Sequence, residues 1–154
     1  MGQQQLLLLV LGIVIVGLAV VVGIQAFGEN QKKANSDALV NDAVRIASDA
    51  QAWKLKPAAF GGGAAATGME GFTLQQVGYD VVGGADAALY DNLNGVFDIG
   101  TPTATALTII ARNADNNNEV HVGVFGTTPD CIATAVGSVD APPTTPTAPT
   151  GCAF

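Results

Sequence analysis

No charged side chain precedes Glu29 and no proline precedes Pro57. Charge is scarce everywhere: Asp, Glu, Lys and Arg make up 12% of the 154 residues, and six basic residues face thirteen acidic ones, for a net charge of −7. The longest basic run is Lys32-Lys33. A nucleic-acid surface needs clustered Lys and Arg to neutralise phosphates, so that partner is excluded. With one His and two Cys, a zinc-type site lacks ligands, and no Cys-x-x-Cys-His run offers haem attachment. No Ser/His/Asp set, nucleophile elbow or pair of catalytic carboxylates can be assembled, and Gly61-Gly62-Gly63 is not followed by the Gly-Lys-Ser/Thr of a phosphate loop. Neither an enzyme nor a bound cofactor or metal is expected. Aromatics are 6% of the chain, so any core must be built largely from small side chains.

What is present begins with an apolar block. Residues 6–24 hold nineteen positions with no charge or strongly polar group. As a helix they span roughly 28 Å, close to the hydrocarbon thickness of a bilayer. A cleaved secretory signal has a basic start, a shorter apolar stretch and a small-residue cleavage site; here nothing basic precedes Leu6 and the block is followed by Gln25-Ala26-Phe27-Gly28. Gly12, Gly17 and Gly23 interrupt the block, and Ala19 with Gly23 forms a small-xxx-small pair of the kind that lets helices approach closely in lipid.

The pattern then runs on into water without a stop. Leu39, Ala43, Ile46, Ala50 and Trp53 recur at steps of four and three, one face of a helix. Asp37, Asn41, Arg45 and Asp49 occupy another face. Pro57 ends it, because the residue before a proline avoids the α region. The spacing predicts one helix over residues 3–56, about 80 Å long, apolar all round over 3–27 and amphipathic over 28–56, with its soft joint at the glycines 23–28.

Residues 57–154 read as a β-rich head. Residues 58–73, "AAFGGGAAATGMEGFT", are a loop by their Gly clusters. Residues 71–77 and 79–82 are weak strand candidates. Residues 103–112 and 119–125 are strong ones, alternating and rich in β-branched side chains, joined by the Asn/Asp turn at 113–118. Cys131 to Val136 suggests a further strand. The expectation is therefore an α+β fold, in which Leu39, Ile46 and Trp53 pack on an antiparallel sheet against Leu107, Ile109 and Val122. Cys131 and Cys152 bracket a Thr- and Pro-rich segment, and a disulfide between them would stabilise by roughly 3 kcal/mol. His121 reads as a surface or half-buried strand residue. Asp115 to Glu119 reads as a solvated turn, short of the ligand spacing of a calcium loop. Asp80, Asp86, Asp91 and Asp98 read as surface. There is no Asn-x-Ser/Thr sequon, whereas Thr144, Thr145 and Thr147 stand beside prolines in a composition that suits O-linked sugars.

An apolar N-terminal helix, an amphipathic extension, an antiparallel sheet and a C-terminal Cys-bracketed loop, in that order, resemble the type IV pilins. The stretch "NDAVRIASDAQAWKLKP" followed by "GGG" is similar to the helix end and glycine loop of some bacterial pilin-like proteins. The resemblance covers the chain in its order of elements, and residues 2–56 carry its sequence-specific part. It implies cutting by a prepilin peptidase after Gly2, so that residues 1–2 are the remainder of a leader and Gln3 is the mature terminus. It further implies a membrane-held subunit that pilus assembly machinery packs with identical copies through Leu6, Leu7, Gly12, Gly17, Ala19 and Gly23 into an extracellular helical filament.

The chain departs from many bacterial members. Leu7 stands at the fifth mature position, where they carry a glutamate, Gln3 replaces the common terminal Phe, and the apolar block has no helix-breaking proline. The Gly2-Gln3 junction is closer to archaeal pilins and flagellins. Lys32 and Lys33 alone would orient the far side of the block toward the cytoplasm by the positive-inside tendency; Glu29 and Asp37 dilute that bias and a cysteine pair argues for export. The function expected is a major pilin. Alternatives are a minor pilin or pseudopilin of a secretion machine and, from another class, a membrane-tethered extracellular binding module.

Overall fold

A computed structural model describes residues 2–83 and 89–154; Asp86, read from sequence as a surface carboxylate, lies outside the described residues. The chain divides into two compact units, Met1–Ala34 and Asn35–Phe154. One helix, α1, runs Gly2–Leu55, within a residue at either end of the stretch that the pattern predicts. Proline's absence before Pro57 keeps every intrahelical N–H available over that length.

In the second unit, the far end of α1 lies on an antiparallel five-stranded meander. The strands are β1 (Tyr90–Asn92), β2 (Gly95–Ile99), β3 (Leu107–Asn113), β4 (Asn118–Val124) and β5 (Ile132–Gly137), adjacent in chain order. Successive side chains of a strand point to opposite faces, and the register assigns them. Phe97 opposes Ala111, Ile109 opposes Val122, and Leu107 opposes Val124. These residues, with Val120, share one buried cluster with Leu39, Ala43, Ile46, Ala47, Ala50 and Trp53 of the helix. The architecture is the α+β arrangement expected from sequence. The alanines at 43, 47 and 50 leave room for the helix to lie close to the sheet. Gly95 shows how close: a Cβ there would meet the carbonyl oxygen of Arg112 and, at 2.8 Å, a methyl of Leu39.

Beyond the helix the chain wraps back around Trp53. The indole N–H donates to the carbonyl of Gly61 at 3.2 Å, the ring meets Phe72 edge-on with centroids 5.3 Å apart, and Gly63 is pressed against the six-membered ring so tightly that a Cβ would overlap it. Lys54 Nζ donates to the carbonyls of Gly63 and Ala66. The glycine run at 61–63 is therefore the wrapping that lets a large aromatic be enclosed by backbone.

Two expectations need correction, and two strands were missed. The weak strand at 71–77 is not one: Leu74–Val77 is a 3₁₀ turn, entered through a capping box between Thr73 and Gln76, and of residues 79–82 only Val82 pairs, in an isolated bridge with Leu89. Strands β1 and β2 were not legible, because they are short and flanked by Gly and Asn; the Asn94-Gly95 pair was the available turn signal. Finally, Asn118 and Glu119 are not part of a solvated turn. They begin β4, and both are buried.

Candidate membrane and assembly helix, and the strapped face of the head

Two surfaces can carry function. The first is the helix of unit one. Leu6, Leu7, Leu8, Leu9, Ile13, Val16, Leu18, Val22, Ile24 and Phe27 are each more than three-fifths exposed, and none of the apolar window is buried within the chain. A helix that is apolar all round must be covered by lipid or by other protein. By length and composition it is long enough to cross a bilayer. A Cβ built at Gly2, Gly12, Gly17, Gly23 or Gly28 meets nothing within 4 Å, so nothing inside the chain requires these positions to be glycine. Gln3 and Ala19 are likewise exposed. Leu39, Ile46 and Trp53 lie instead in the core of the second unit, at 0%, 1% and 6% exposure.

The second surface is the sheet face turned away from α1. The register places Glu119, His121 and Gly123 of β4 on it, opposite Arg112, Ile110 and Thr108 of β3. Residues 141–150 cross it. A Cβ at Gly123 would stand 3.3 Å from Pro146, and one at Gly137 would stand 2.9 Å from the carbonyl oxygen of Ala141 and from Pro143. Asn117, the described non-glycine residue with positive φ, at 53°, fastens the start of this strap by donating to Asp140 Oδ2 at 2.8 Å. Its end is fastened by the Cys131–Cys152 disulfide, with Cα atoms 5.5 Å apart. The expected pairing is present.

The strap corrects the reading of His121 as a surface or half-buried residue: it is 7% exposed. Its Nε2 is 2.7 Å from Glu119 Oε1, and Arg112 Nε is 3.2 Å from the other carboxylate oxygen. His121 Nδ1 has no partner. With α1 on one face and the strap on the other, all seven residues of β4 are buried. Alternation in the sequence could show only that one face was covered.

The rim of the head is polar. Asp42 accepts from Asn92 and Asn94, while Asn35 and Asn113 both donate to the Asn94 carbonyl. Tyr79 donates to Asp49 at 2.6 Å; burial, and then that hydrogen bond, push its phenol well above the ordinary range. Of the predicted surface carboxylates, Asp80 and Asp91 are exposed and Asp98 is half-buried. Among the described residues no group of three or more His, Cys, Asp and Glu side chains is placed to hold a metal ion.

Reduction should test the strap directly. Opening a loop of this length removes about 3 kcal/mol in the chain-entropy model, which for a unit of this size lowers the thermal midpoint by roughly 10 °C. Scanning calorimetry of oxidised and reduced protein checks this; equal midpoints would show that the strap holds without its bond.

No family model, curated protein or solved structure matches this chain. Fold and surfaces define an α+β head on a helix whose exposed apolar segment is a candidate membrane anchor.

Proposed function

We propose that this chain is the major structural subunit of an extracellular filament of the type IV pilin kind, stored in the membrane and assembled by packing copies of its N-terminal helix. The single observation that carries this reading is a helix exposed and apolar on every side over residues 6–24, with glycines at 12, 17 and 23 that the chain itself does not use. A plain anchor needs apolarity only. A helix that must also fit copies of itself gains from small positions where backbones can meet.

Assembly then exchanges lipid contacts for helix–helix contacts. One surface repeated by a fixed rotation and rise makes a contact that does not close, and growth is helical. The head stays outside, where the disulfide persists. Its acidic balance offers nothing to nucleic acid. A minor pilin or pseudopilin of a secretion machine would share this fold in a capping or piston role, and a tethered binding module would never polymerise.

Electron microscopy of material sheared from cells, with mass spectrometry of its main subunit, separates these readings: this chain should be the dominant component of a thin filament. Terminal sequencing of the same material should find Gln3 as the first residue, cut from Gly2 by a prepilin peptidase. An intact Met1, or a cut beyond Phe27, would remove the processing step from the reading.

A further inference from the structure

The strap across the outer sheet face has a period of its own. In the stretch "PTTPTAPT", from Pro143 to Thr150, Pro143, Pro146 and Pro149 are half-buried, and the residues between them, Thr144, Thr145, Thr147 and Ala148, are exposed, as is Thr150. A repeat of three is that of the polyproline II helix, with three residues and about 9 Å per turn and no internal hydrogen bonds. One edge of that helix, all proline, is turned to the sheet. Pro143 and Pro146 sit against Gly137 and Gly123, where a side chain on either strand would collide with them or crowd them. The other two edges carry Thr144, Thr145 and Thr147 and face solvent, and Thr150 is exposed in the turn that follows, which the Cys152 N–H closes by donating to the Pro149 carbonyl.

These threonines differ from others in the head. Thr103 accepts from and donates to its own turn, Thr73 caps a 3₁₀ turn, and Thr128 bonds to Cys131 Sγ. Among the described residues no hydrogen bond engages the hydroxyls of Thr144, Thr145, Thr147 or Thr150, and no charged side chain stands between Asp140 and Phe154. The strap thus holds four unengaged hydroxyls outward, on a backbone fixed at one end by Asn117 and Asp140 and at the other by the disulfide.

The geometry points to Thr144, Thr145, Thr147 and Thr150 as O-glycan acceptors, a modification site independent of whether the chain polymerises. A strap already extended and solvated presents each hydroxyl to a transferase without local unfolding. Threonine Oγ1 forms a bond to the anomeric carbon of a glycosyl phosphate donor, the bond from that carbon to the phosphate oxygen breaks, the phosphate leaves with the electron pair, and the hydroxyl proton passes to a base of the transferase. The prolines keep the sugars off the sheet, so head packing is untouched by occupancy.

The test is mass spectrometry of the full chain purified from cells that make it naturally, taken both from membranes and from any filament. The expected result is an intact mass above that of the sequence by whole sugar residues, located by electron-transfer fragmentation to the disulfide-linked peptide that contains residues 143–150. The variant carrying Thr→Val at all four positions should lose that increment while retaining its far-ultraviolet circular dichroism. An unmodified strap peptide, or sugar confined to other positions, overturns the assignment. If the variant does not fold, the map of the unaltered chain still decides. Because the membrane form is measured too, absence of filaments would count against the pilin reading and leave this one standing.

Discussion

On the proposed filament function, Gly17→Leu and Gly23→Leu should leave the chain in the membrane at normal levels and abolish or shorten the filaments. Neither change costs the isolated chain anything sterically, since a Cβ at either position meets nothing within 4 Å. Each exchange replaces a poor helix former with a good one, worth up to about 1 kcal/mol in the helix's favour, and keeps the segment apolar and long enough to span lipid. Anything lost is therefore lost between copies. Overpacking at a fitted contact costs about 1–3 kcal/mol, and in a polymer the cost recurs at every subunit. Filament length and number by electron microscopy, set against membrane levels by immunoblot, give the readout. Filaments of normal length and number in both variants would make the glycines incidental to assembly.

Trp53→Ala should remove about 3–5 kcal/mol from the stability of the head, the range for large aromatic truncations in cores. Trp53 is 6% exposed, meets Phe72 edge-on, donates to the Gly61 carbonyl and is roofed by Gly63. The glycine wrapping cannot refill the space: Gly61, Gly62 and Gly63 have no side chains to move in, and the loop is tied to the helix end by Lys54. A marginal domain has 5–15 kcal/mol in all, so the variant head should approach unfolding at physiological temperature. Urea denaturation of the fragment from Gly28 onward, followed by circular dichroism, checks it. An unchanged curve would show that the indole is not a structural anchor.

What the sequence revealed and what it hid divide along a physical line. The helix was legible because its two signals are strong and local: an uninterrupted apolar run, and the 3.6-residue recurrence of Leu39, Ala43, Ile46, Ala50 and Trp53. The β3–β4 hairpin was legible for the same reason, with β-branched alternation on both sides of an Asn/Asp turn. The disulfide followed from there being two cysteines in a chain that looked exported. Strands β1 and β2 escaped because three to five residues among Gly and Asn carry too little periodicity. The burial of Glu119 and His121 escaped for a different reason. It depends on a proline-rich segment twenty residues downstream folding back over their face, a long-range event that leaves no mark on β4 itself except Gly123.

Timing follows from where that segment lies in the chain. The outer face of β4 is covered by the segment of Pro143 and Pro146, which follows β5 in the chain, and the bond that ties this segment down joins Cys152 to Cys131 across a separation of 21 residues; Phe154 itself packs against the core. Pairing of β3, β4 and β5 can therefore precede the covering of Glu119 and His121, which waits for the strap to fold back over that face. Reduction would free the far end of the strap while leaving the ladder of β3, β4 and β5 intact, so the outer face of β4 is the part of the head whose burial depends on oxidation.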